Sequence, residues 1–264
     1  MIPSKYTFRT QEVQLNIPKQ GMHKYLIEST NFINYSGEIR CSRKKEVSLS
    51  IKYNEDQPYI RSVEVEIEND NFQFSHGSVA MHDILKRTAS VYTKLYLRVS
   101  YKGEIVAIDN IDELQENWNE VKKYLKKKYK GSQVQRFILK TDTILNSEEE
   151  IIKDLLLYHN FGGLIKSIYQ KYNSDSCSNI AQNLSTKYGK VTTKEDVLLQ
   201  STKETDNVQL QLQAHYPESK EYVSVNGTYN FKGFEESWLK RALISCIERY
   251  GRQEYHNTIS ITQL

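Results

Sequence analysis

Two neighbouring segments near the N-terminus alternate strictly between apolar and polar residues. Segment 46–53 reads EVSLSIKY, segment 61–68 reads RSVEVEIE, and the link NEDQP has the composition of a turn. Successive side chains of a strand point to opposite faces, so this pattern predicts an antiparallel hairpin with one apolar and one wet face. A register with Ile51 opposite Val65 would also pair Lys52 with Glu64. The residues predicted to point inward are Val47, Leu49, Ile51, Tyr53, Val63, Val65 and Ile67, and those predicted on the wet face are Glu64, Glu66 and Glu68.

A second hairpin is predicted over residues 93–109, TKLYLRVSYKGEIVAID, with its turn at Lys102-Gly103. Between the two hairpins, HGSVAMHDILKRTAS can hold a short helix around Val79–Lys86. The residues expected on the apolar face of the second hairpin are Leu95, Leu97, Val99 and Tyr101.

The stretch 109–172 has the periodicity of helices. Apolar residues recur at steps of three and four from position 111 to position 125, which predicts an amphipathic helix. Asn110, followed three residues later by Glu113, resembles a capping box, and Gly131 suits the end of the helix. A second helix is predicted over 132–145. A third helix is predicted after Ser147, which would be its cap, and the helix dipole favours the three glutamates in its first turn. The glycine pair 162–163 would interrupt it, and LIKSIYQKY predicts a further short helix.

The C-terminal stretch is predicted to be mainly strands. Residues 173–183, NSDSCSNIAQN, are polar and predict a loop, whereas VTTKEDVLLQS, NVQLQLQAHY and NTISITQL predict strands, the last with Ile259 and Ile261 inward. YVSVNGTYNF fits either one strand or a hairpin that turns at Asn226-Gly227. SWLKRALISCIERY fits a helix through Trp238, and it also fits a strand, so both assignments stay open.

Together these elements predict an α+β fold, with antiparallel β-hairpins at both ends of the chain and a central helical stretch packed on the sheet. The loop at 173–183 is the best internal boundary. It divides the chain into 1–172, hairpins followed by helices, and 173–264, a β-rich region. The terminal strands could instead complete one sheet, which would make a single domain.

Composition and charge exclude several classes of protein. No apolar run approaches the roughly 18–20 residues of a spanning helix, so we expect no membrane span, and the N-terminus lacks the apolar stretch of a signal peptide. The net charge of +3 is too small for a nucleic-acid footprint. Three widely spaced cysteines, Cys41, Cys177 and Cys246, form neither a CxxC pair nor a disulfide framework, which predicts a cytoplasmic location.

A run of lysines closes the predicted helix that starts at residue 111. It could form a basic patch for phosphates or acidic lipid headgroups. However, the helix opens with acids and closes with bases, an order that its dipole favours in any case. We therefore interpret the run as a solvated helix face and expect no nucleic-acid partner. The lysines are Lys122, Lys123, Lys126, Lys127, Lys128 and Lys130.

The common catalytic and metal-binding patterns are missing from the sequence. There is no GxSxG elbow, no HExxH and no phosphate-binding glycine loop. The glutamates at 64, 66 and 68 lack the further oxygen ligands that a hard cation needs. An enzyme could still use His76, His82 and Asp83, but we predict no catalytic residue, no metal site and no cofactor.

Aromatic residues supply the candidates for an interface or a pocket. The chain holds 19 tyrosines, and tyrosine and tryptophan dominate interface hot spots. The favoured function is a non-catalytic protein-interaction or scaffold subunit of a larger assembly, with a protein partner or self-association. The alternatives are a small-molecule or lipid binder, with an apolar pocket between the sheet and helix 111–125, and an enzyme of unrecognised type. The candidate residues are Trp118, Tyr124, Tyr129 and Trp238.

Overall fold

A long antiparallel sheet organises the chain. The computed structural model describes residues 12–33, 38–75, 79–173, 176–186, 189–201, 207–216, 222–233, 236–250 and 253–264. The strands are β1 (Glu12–Gln14), β2 (Gly21–Ile33), β3 (Glu38–Tyr53), β4 (Ile60–Phe74), β5 (Lys94–Ser100), β6 (Ile105–Ile108), β7 (Lys171–Asn173), β8 (Ser178–Thr186), β9 (Gly189–Ser201), β10 (Asn207–Tyr216), β11 (Tyr222–Lys232), β12 (Trp238–Tyr250) and β13 (Gln253–Gln263).

Eleven of these strands form one sheet in the order β6-β5-β4-β3-β2-β13-β12-β11-β10-β9-β8, and β1 pairs separately with β7. The sheet is therefore two meanders, β2–β6 and β8–β13, which we call the N-terminal and C-terminal halves. They join where β2 pairs antiparallel with β13, from Tyr25↔Gln263 to Ile33↔Tyr255. Strands from both ends of the chain thus share one hydrogen-bonded ladder.

The described part of the chain holds four α-helices; the first lies between β4 and β5, and the other three follow β6, between the two meanders in sequence. They are α1 (Val79–Ala89), α2 (Ile111–Lys128), α3 (Ser132–Leu145) and α4 (Glu148–Leu155). The apolar stripe predicted for α2 is confirmed, since Leu114, Trp118 and Leu125 are buried. Among the described residues, no helix combines the length and apolar character that crossing a membrane requires. The fold is thus mixed, as predicted, but the sheet dominates it, so α+β describes it only coarsely.

Two of the predicted caps have different outcomes. Ser147 caps α4 as expected, because its hydroxyl accepts a hydrogen bond from Glu150 N. Asn110 occupies the N-cap position of α2 but makes no side-chain cap bond. Its amide instead donates to Lys94 O and to Glu113, and its oxygen accepts from Tyr96 N. Asn110 therefore ties the start of α2 to β5.

The first hairpin has the predicted faces but a different register. The predicted inward valines, leucine and isoleucines are buried, and the glutamates of β4 face solvent. Ile51 lies opposite Val63, and Lys52 opposite Ser62, so the predicted pairing is wrong by two residues. The loop folds tightly, with Gln57 N–H donating to Asn54 O, and pairing consequently extends to the end of β3. A two-residue shift keeps every side chain on its face, which is why the burial prediction still holds.

Two tyrosines predicted to point inward do not. Tyr53, the last residue of β3, is 40% exposed, and Tyr101, in the turn after β5, is 50% exposed. Both lie where the strand pattern ends and the turn begins, so alternation no longer controls the side-chain direction.

Residues 156–170 do not contain the predicted further helix. They form irregular turns, which we call the covering segment, and lead directly into β7. Residues 161–166 are buried without interruption, whereas a helix on a protein surface keeps one wet face. The glycine pair permits close packing here, since a Cβ on Gly163 would lie 2.6 Å from Ile261 Cδ1.

The C-terminal half resolves the open assignments in favour of strands. Residues 238–250 form β12, held between β11 and β13. Residues 222–232 form one strand that runs through Asn226-Gly227 without turning. A Cβ on Gly227 would lie 3.2 Å from Leu243 O, so the glycine serves close strand packing. The predicted loop at 173–183 is wrong in its second part, because β8 begins at Ser178, and residues 174–175 lie outside the described residues. Ile259 and Ile261 of β13 are buried, as predicted.

Candidate functional site

Two exposed tyrosines meet at the turn end of the N-terminal half. Tyr59 follows the link between β3 and β4 and is 71% exposed, and Tyr101 starts the turn between β5 and β6. Their ring centres are 6.0 Å apart, and the ring planes make an angle of 64°, an edge-to-face arrangement. We call these two residues the tyrosine pair.

Backbone hydrogen bonds fix the tyrosine pair. Tyr101 N–H donates to Tyr59 O at 2.9 Å, which joins the two turns. In the first turn, Asn54 Oδ1 accepts from Asp56 N, and Ile60 N–H donates to Gln57 O. The backbone that carries each ring is therefore held in place by hydrogen bonds.

The second turn is fixed by Ser100 and Gly103. Ser100 Oγ accepts from the backbone N–H groups of Lys102 and Glu104, and Gly103 N–H donates to Ser100 O. Gly103 has φ +91, which favours glycine, and a Cβ there would overlap Lys166 O and lie 2.8 Å from Tyr169 Cδ2. The turn that carries Tyr101 is thus packed against the covering segment.

Cations lie beside these aromatic rings. The Arg61 guanidinium lies 4.8 Å from the ring centre of Tyr53, and Lys102 Nζ lies 5.7 Å from that of Tyr101. Arg61 is itself buried, and its Nη1 donates to Pro58 O and Ile60 O. Exposed aromatic rings next to cations can bury apolar area against a partner while their hydroxyls keep polar contacts.

The sequence candidate Trp118 lies in the core. It is 2% exposed, and its indole Nε1–H donates to Asp142 Oδ1 of α3 at 2.7 Å. Lys122 Nζ reaches the same oxygen at 2.7 Å. Trp118 thus joins α2 to α3.

The candidates Tyr124 and Tyr129 come together on Asp83 of α1. Both hydroxyls donate to Asp83 Oδ2, at 3.0 and 2.7 Å, and Lys128 Nζ donates to it at 3.1 Å. The hydrogen bond from Tyr129, together with those from Lys128 and Tyr124, lowers the pKa of Asp83 to about 2 against the cost of its desolvation. The Arg87 guanidinium lies 3.9 Å from the ring centre of Tyr124. This cluster links α1 to α2.

The candidate Trp238 lies at the start of strand β12, whereas the other three candidates lie on α2 or directly after it. It is half-buried, with its ring centre 4.2 Å from that of His23. A Cβ on Gly21 would lie 2.8 Å from Trp238 Cζ2, so the indole packs against the start of β2. The structure therefore brings Tyr124 and Tyr129 together, while Trp118 and Trp238 each occupy a separate contact.

A buried charged network lies under the covering segment. Lys166 Nζ donates to Glu195 Oε2 of β9 and, at 2.6 Å, to the Tyr158 hydroxyl, and Tyr158 donates to Glu195 Oε1. Burial lowers the pKa of Lys166, while the Glu195 carboxylate opposes this shift. Both side chains are at most 1% exposed. The network consequently anchors the covering segment to the sheet.

Lys45 makes a second buried anchor, from β3. Its Nζ donates to His159 O at 3.1 Å and to Asn160 O at 2.8 Å, and it lies 4.6 Å from the Phe161 ring centre. Burial holds the pKa of Lys45 well below its usual value, and the neighbouring Arg43 adds to that shift. Lys45 and Glu195 therefore hold the covering segment from two strands that are far apart in the sheet.

Of the residues considered for catalysis, the two that the structure describes, His82 and Asp83, make separate contacts. His82 is exposed, and its ring centre lies 5.8 Å from that of Phe74, whereas the Asp83 carboxylate is engaged by Tyr124, Tyr129 and Lys128. His76 lies outside the described residues. Within the described ranges, no group of three or more histidine, cysteine, aspartate or glutamate side chains could hold a metal ion. Two of the three glutamates of β4 instead pair with lysines, Glu64 with Lys94 and Glu68 with Lys24.

A small apolar cavity lies between the sheet and the covering segment. Its volume is about 20 Å³, room for about one water molecule. It is lined by Leu49 and Ile51 of β3 and by Leu164 and Ile165, among others. It lies under the covering segment, whereas the sequence placed a pocket under helix 111–125.

Sequence reasoning missed the tyrosine pair and the buried charges. Tyr59 follows Pro58, and Tyr101 precedes Lys102-Gly103, so adjacent turn residues could have indicated exposure. Lys45 lies two residues before Val47, and Glu195 two residues before Val197, so alternation places both on the apolar face. A charge at such a position indicates a buried partner.

No protein-family model matches this chain, and a search of curated proteins finds no significant relative.

Proposed function

We propose that this chain is a non-catalytic protein-interaction subunit, a scaffold of a larger assembly, and that it contacts a protein partner through the tyrosine pair. The observation that supports this is the combination of exposure and order at Tyr59 and Tyr101. Both rings are at least half exposed, and a direct backbone hydrogen bond joins their turns. Tyrosine is enriched in interface hot spots.

The fixed turns bear on affinity as well as on geometry. Binding costs free energy when loops and side chains must be ordered. The turns that carry Tyr59 and Tyr101 are already hydrogen-bonded, so little of that cost is left to the complex. Such a surface suits a preformed partner face that accepts two aromatic rings.

The location that fits this function is the cytoplasm. Cys41, Cys177 and Cys246 are free thiols. Free thiols persist in a reducing compartment, and this supports the proposed location.

The test is affinity purification of the tagged chain under gentle conditions, followed by native mass spectrometry. We expect a protein complex of defined stoichiometry with the wild type and a loss of about tenfold or more of the bound partner with Tyr59→Ala plus Tyr101→Ala. Tyr96→Ala is the matched control, because Tyr96 is a partly exposed tyrosine on β5 and lies away from the turn.

Two outcomes would contradict the proposal. Equal partner recovery by the wild type and the double variant would remove the role of the tyrosine pair. A wild-type monomer that carries a small ligand mass would favour the small-molecule or lipid binder instead. The melting temperature of each variant shows whether a loss of binding reflects a loss of fold.

A further inference from the structure

The two edges of the eleven-stranded sheet are protected to different degrees. The β6 edge is four residues long, and Ile108 N–H donates to Glu148 Oε1 of α4 at 2.7 Å. The β8 edge is nine residues long and pairs with β9 from Ser178↔Val197 to Thr186↔Gly189. Among the described residues, no strand pairs with the other side of β8. Half of the backbone N–H and C=O groups of an edge strand point away from its neighbour and are available to a further strand.

The β8 edge also lacks the usual features that discourage pairing. Its sequence, SNIAQNLST, contains no charged residue and no proline. Its register with β9 runs without a bulge. Edge strands that stay unpaired are commonly short, charged, proline-containing or bulged. A long, regular and uncharged edge is the form that accepts another strand through its backbone.

The sequence of β8 matches its own reverse in polarity at seven of its nine positions. In an antiparallel pair of two β8 strands centred on Gln182, Ile180 lies opposite Leu184, and Asn179 lies opposite Ser185. Ser178 then lies opposite Thr186, so these three pairs match in polarity, and only Ala181 lies opposite a residue of different polarity, Asn183. Around a two-fold axis any charge near the centre would meet its own copy, and β8 has none.

We propose that two copies of this chain associate through β8, edge to edge and antiparallel, around a two-fold axis at Gln182. The pairing continues the sheet from one copy into the other. It uses a surface at the opposite end of the strand order from the tyrosine pair, and it stands independently of the function proposed for that pair.

The test is sedimentation velocity of the purified full chain across a wide concentration range. The wild type is expected to shift from monomer to dimer as concentration rises. Gln182→Lys brings two cations together at the axis, and we expect it to raise the dimer dissociation constant by about tenfold or more. Thr262→Lys is the matched control, since it adds the same charge at an exposed position of the central strand β13 and is expected to leave the dimer unchanged.

A second variant of opposite charge at the same position tests the proposal even if one variant folds poorly. Gln182→Glu should also weaken the self-dimer, and an equal mixture of Gln182→Lys and Gln182→Glu chains should form a heterodimer. A wild-type chain that stays monomeric at all concentrations would overturn the proposal, as would a dimer that both variants leave intact. Partner binding through Tyr59 and Tyr101 is measured separately, so either result leaves the other proposal open to its own experiment.

Discussion

The two halves of the sheet differ in what packs beside them: the N-terminal half contacts both the helices and the covering segment, whereas the C-terminal half contacts the covering segment. The N-terminal half is followed in sequence by helices, and α2 buries Leu114, Trp118 and Leu125 at helical spacing. The C-terminal half lies against the covering segment, which has no regular structure and is held by the Lys166–Glu195 pair. Tyr169 of that segment packs its ring 6.2 Å from that of Phe231 in β11.

A helical layer and an irregular layer on a sheet are stabilised by different kinds of interaction. A helix satisfies its own backbone groups, so an apolar stripe is enough to dock it on a sheet. An irregular segment pairs only part of its backbone internally, here through turn hydrogen bonds such as Leu164 N–H to Phe161 O, and needs outside partners for the rest. Lys45 supplies two of them, by donating to the carbonyls of His159 and Asn160. We therefore expect the covering segment to be more sensitive than the helices to the loss of single polar side chains.

The largest expected effect comes from Lys166→Met. The substitution leaves the Glu195 carboxylate buried without its cation, and breaking a buried pair in this way costs about 3–5 kcal/mol of unfolding free energy. Urea denaturation measures the loss. Adding Glu195→Gln to Lys166→Met should recover part of it, because the unpaired charge is then gone.

Lys171→Met is the matched control for that substitution. Lys171 forms an ion pair with Glu12 at 2.7 Å, and both side chains are more than half exposed. Exposed pairs contribute less than about 1 kcal/mol, so this variant should unfold nearly like the wild type. Equal losses for Lys166→Met and Lys171→Met would show that the buried pair does not anchor the covering segment.

A smaller loss is expected from Gly103→Ala, which tests the contact between the β5–β6 turn and the covering segment. The new Cβ would overlap Lys166 O, and the residue has φ +91. Overpacking and backbone strain together predict a loss of about 3 kcal/mol. Gly131→Ala separates the two causes, because Gly131 has φ +118 but no atom within 4 Å of a new Cβ. It should lose only the strain contribution, about 1–2 kcal/mol.

Local patterns were sufficient to predict most of the N-terminal half. Alternation placed Val47, Leu49 and Ile51 on the buried face, and spacing placed Trp118 on the buried stripe of α2. The register of the first hairpin was not predictable in this way, because the hydrogen bonds made by Asn54 and Gln57 of the link decide how far pairing extends. Strand faces depend on neighbours in sequence, whereas register depends on the turn.

The C-terminal half was less predictable because its structure depends on distant strands. Leu239, Ala242 and Cys246 fit a helical stripe, but Ala242, Ile244 and Cys246 also alternate along one strand face. β11 and β13 form backbone hydrogen bonds to the two sides of β12, and this pairing stabilises the strand over the helix. The structure of the covering segment was still harder to predict from local patterns, because Lys166 is buried by pairing with Glu195, 29 positions away.

The smallest expected effect concerns the contact between α1 and α2, in the half covered by helices. Because hydrogen bonds and Lys128 depress the pKa of Asp83 to about 2 in the folded chain, its ionised form stabilises the fold above the unfolded pKa of about 4. That stabilisation is lost as pH falls from about 4 to about 2. Asp83→Asn should therefore lower the melting temperature slightly at neutral pH and flatten its dependence on pH in this window. Asp109→Asn is the control, since Asp109 is 46% exposed and pairs with Arg98. An unchanged pH dependence in Asp83→Asn would mean that the helix layer does not depend on this carboxylate, and that apolar packing alone holds α1 against α2.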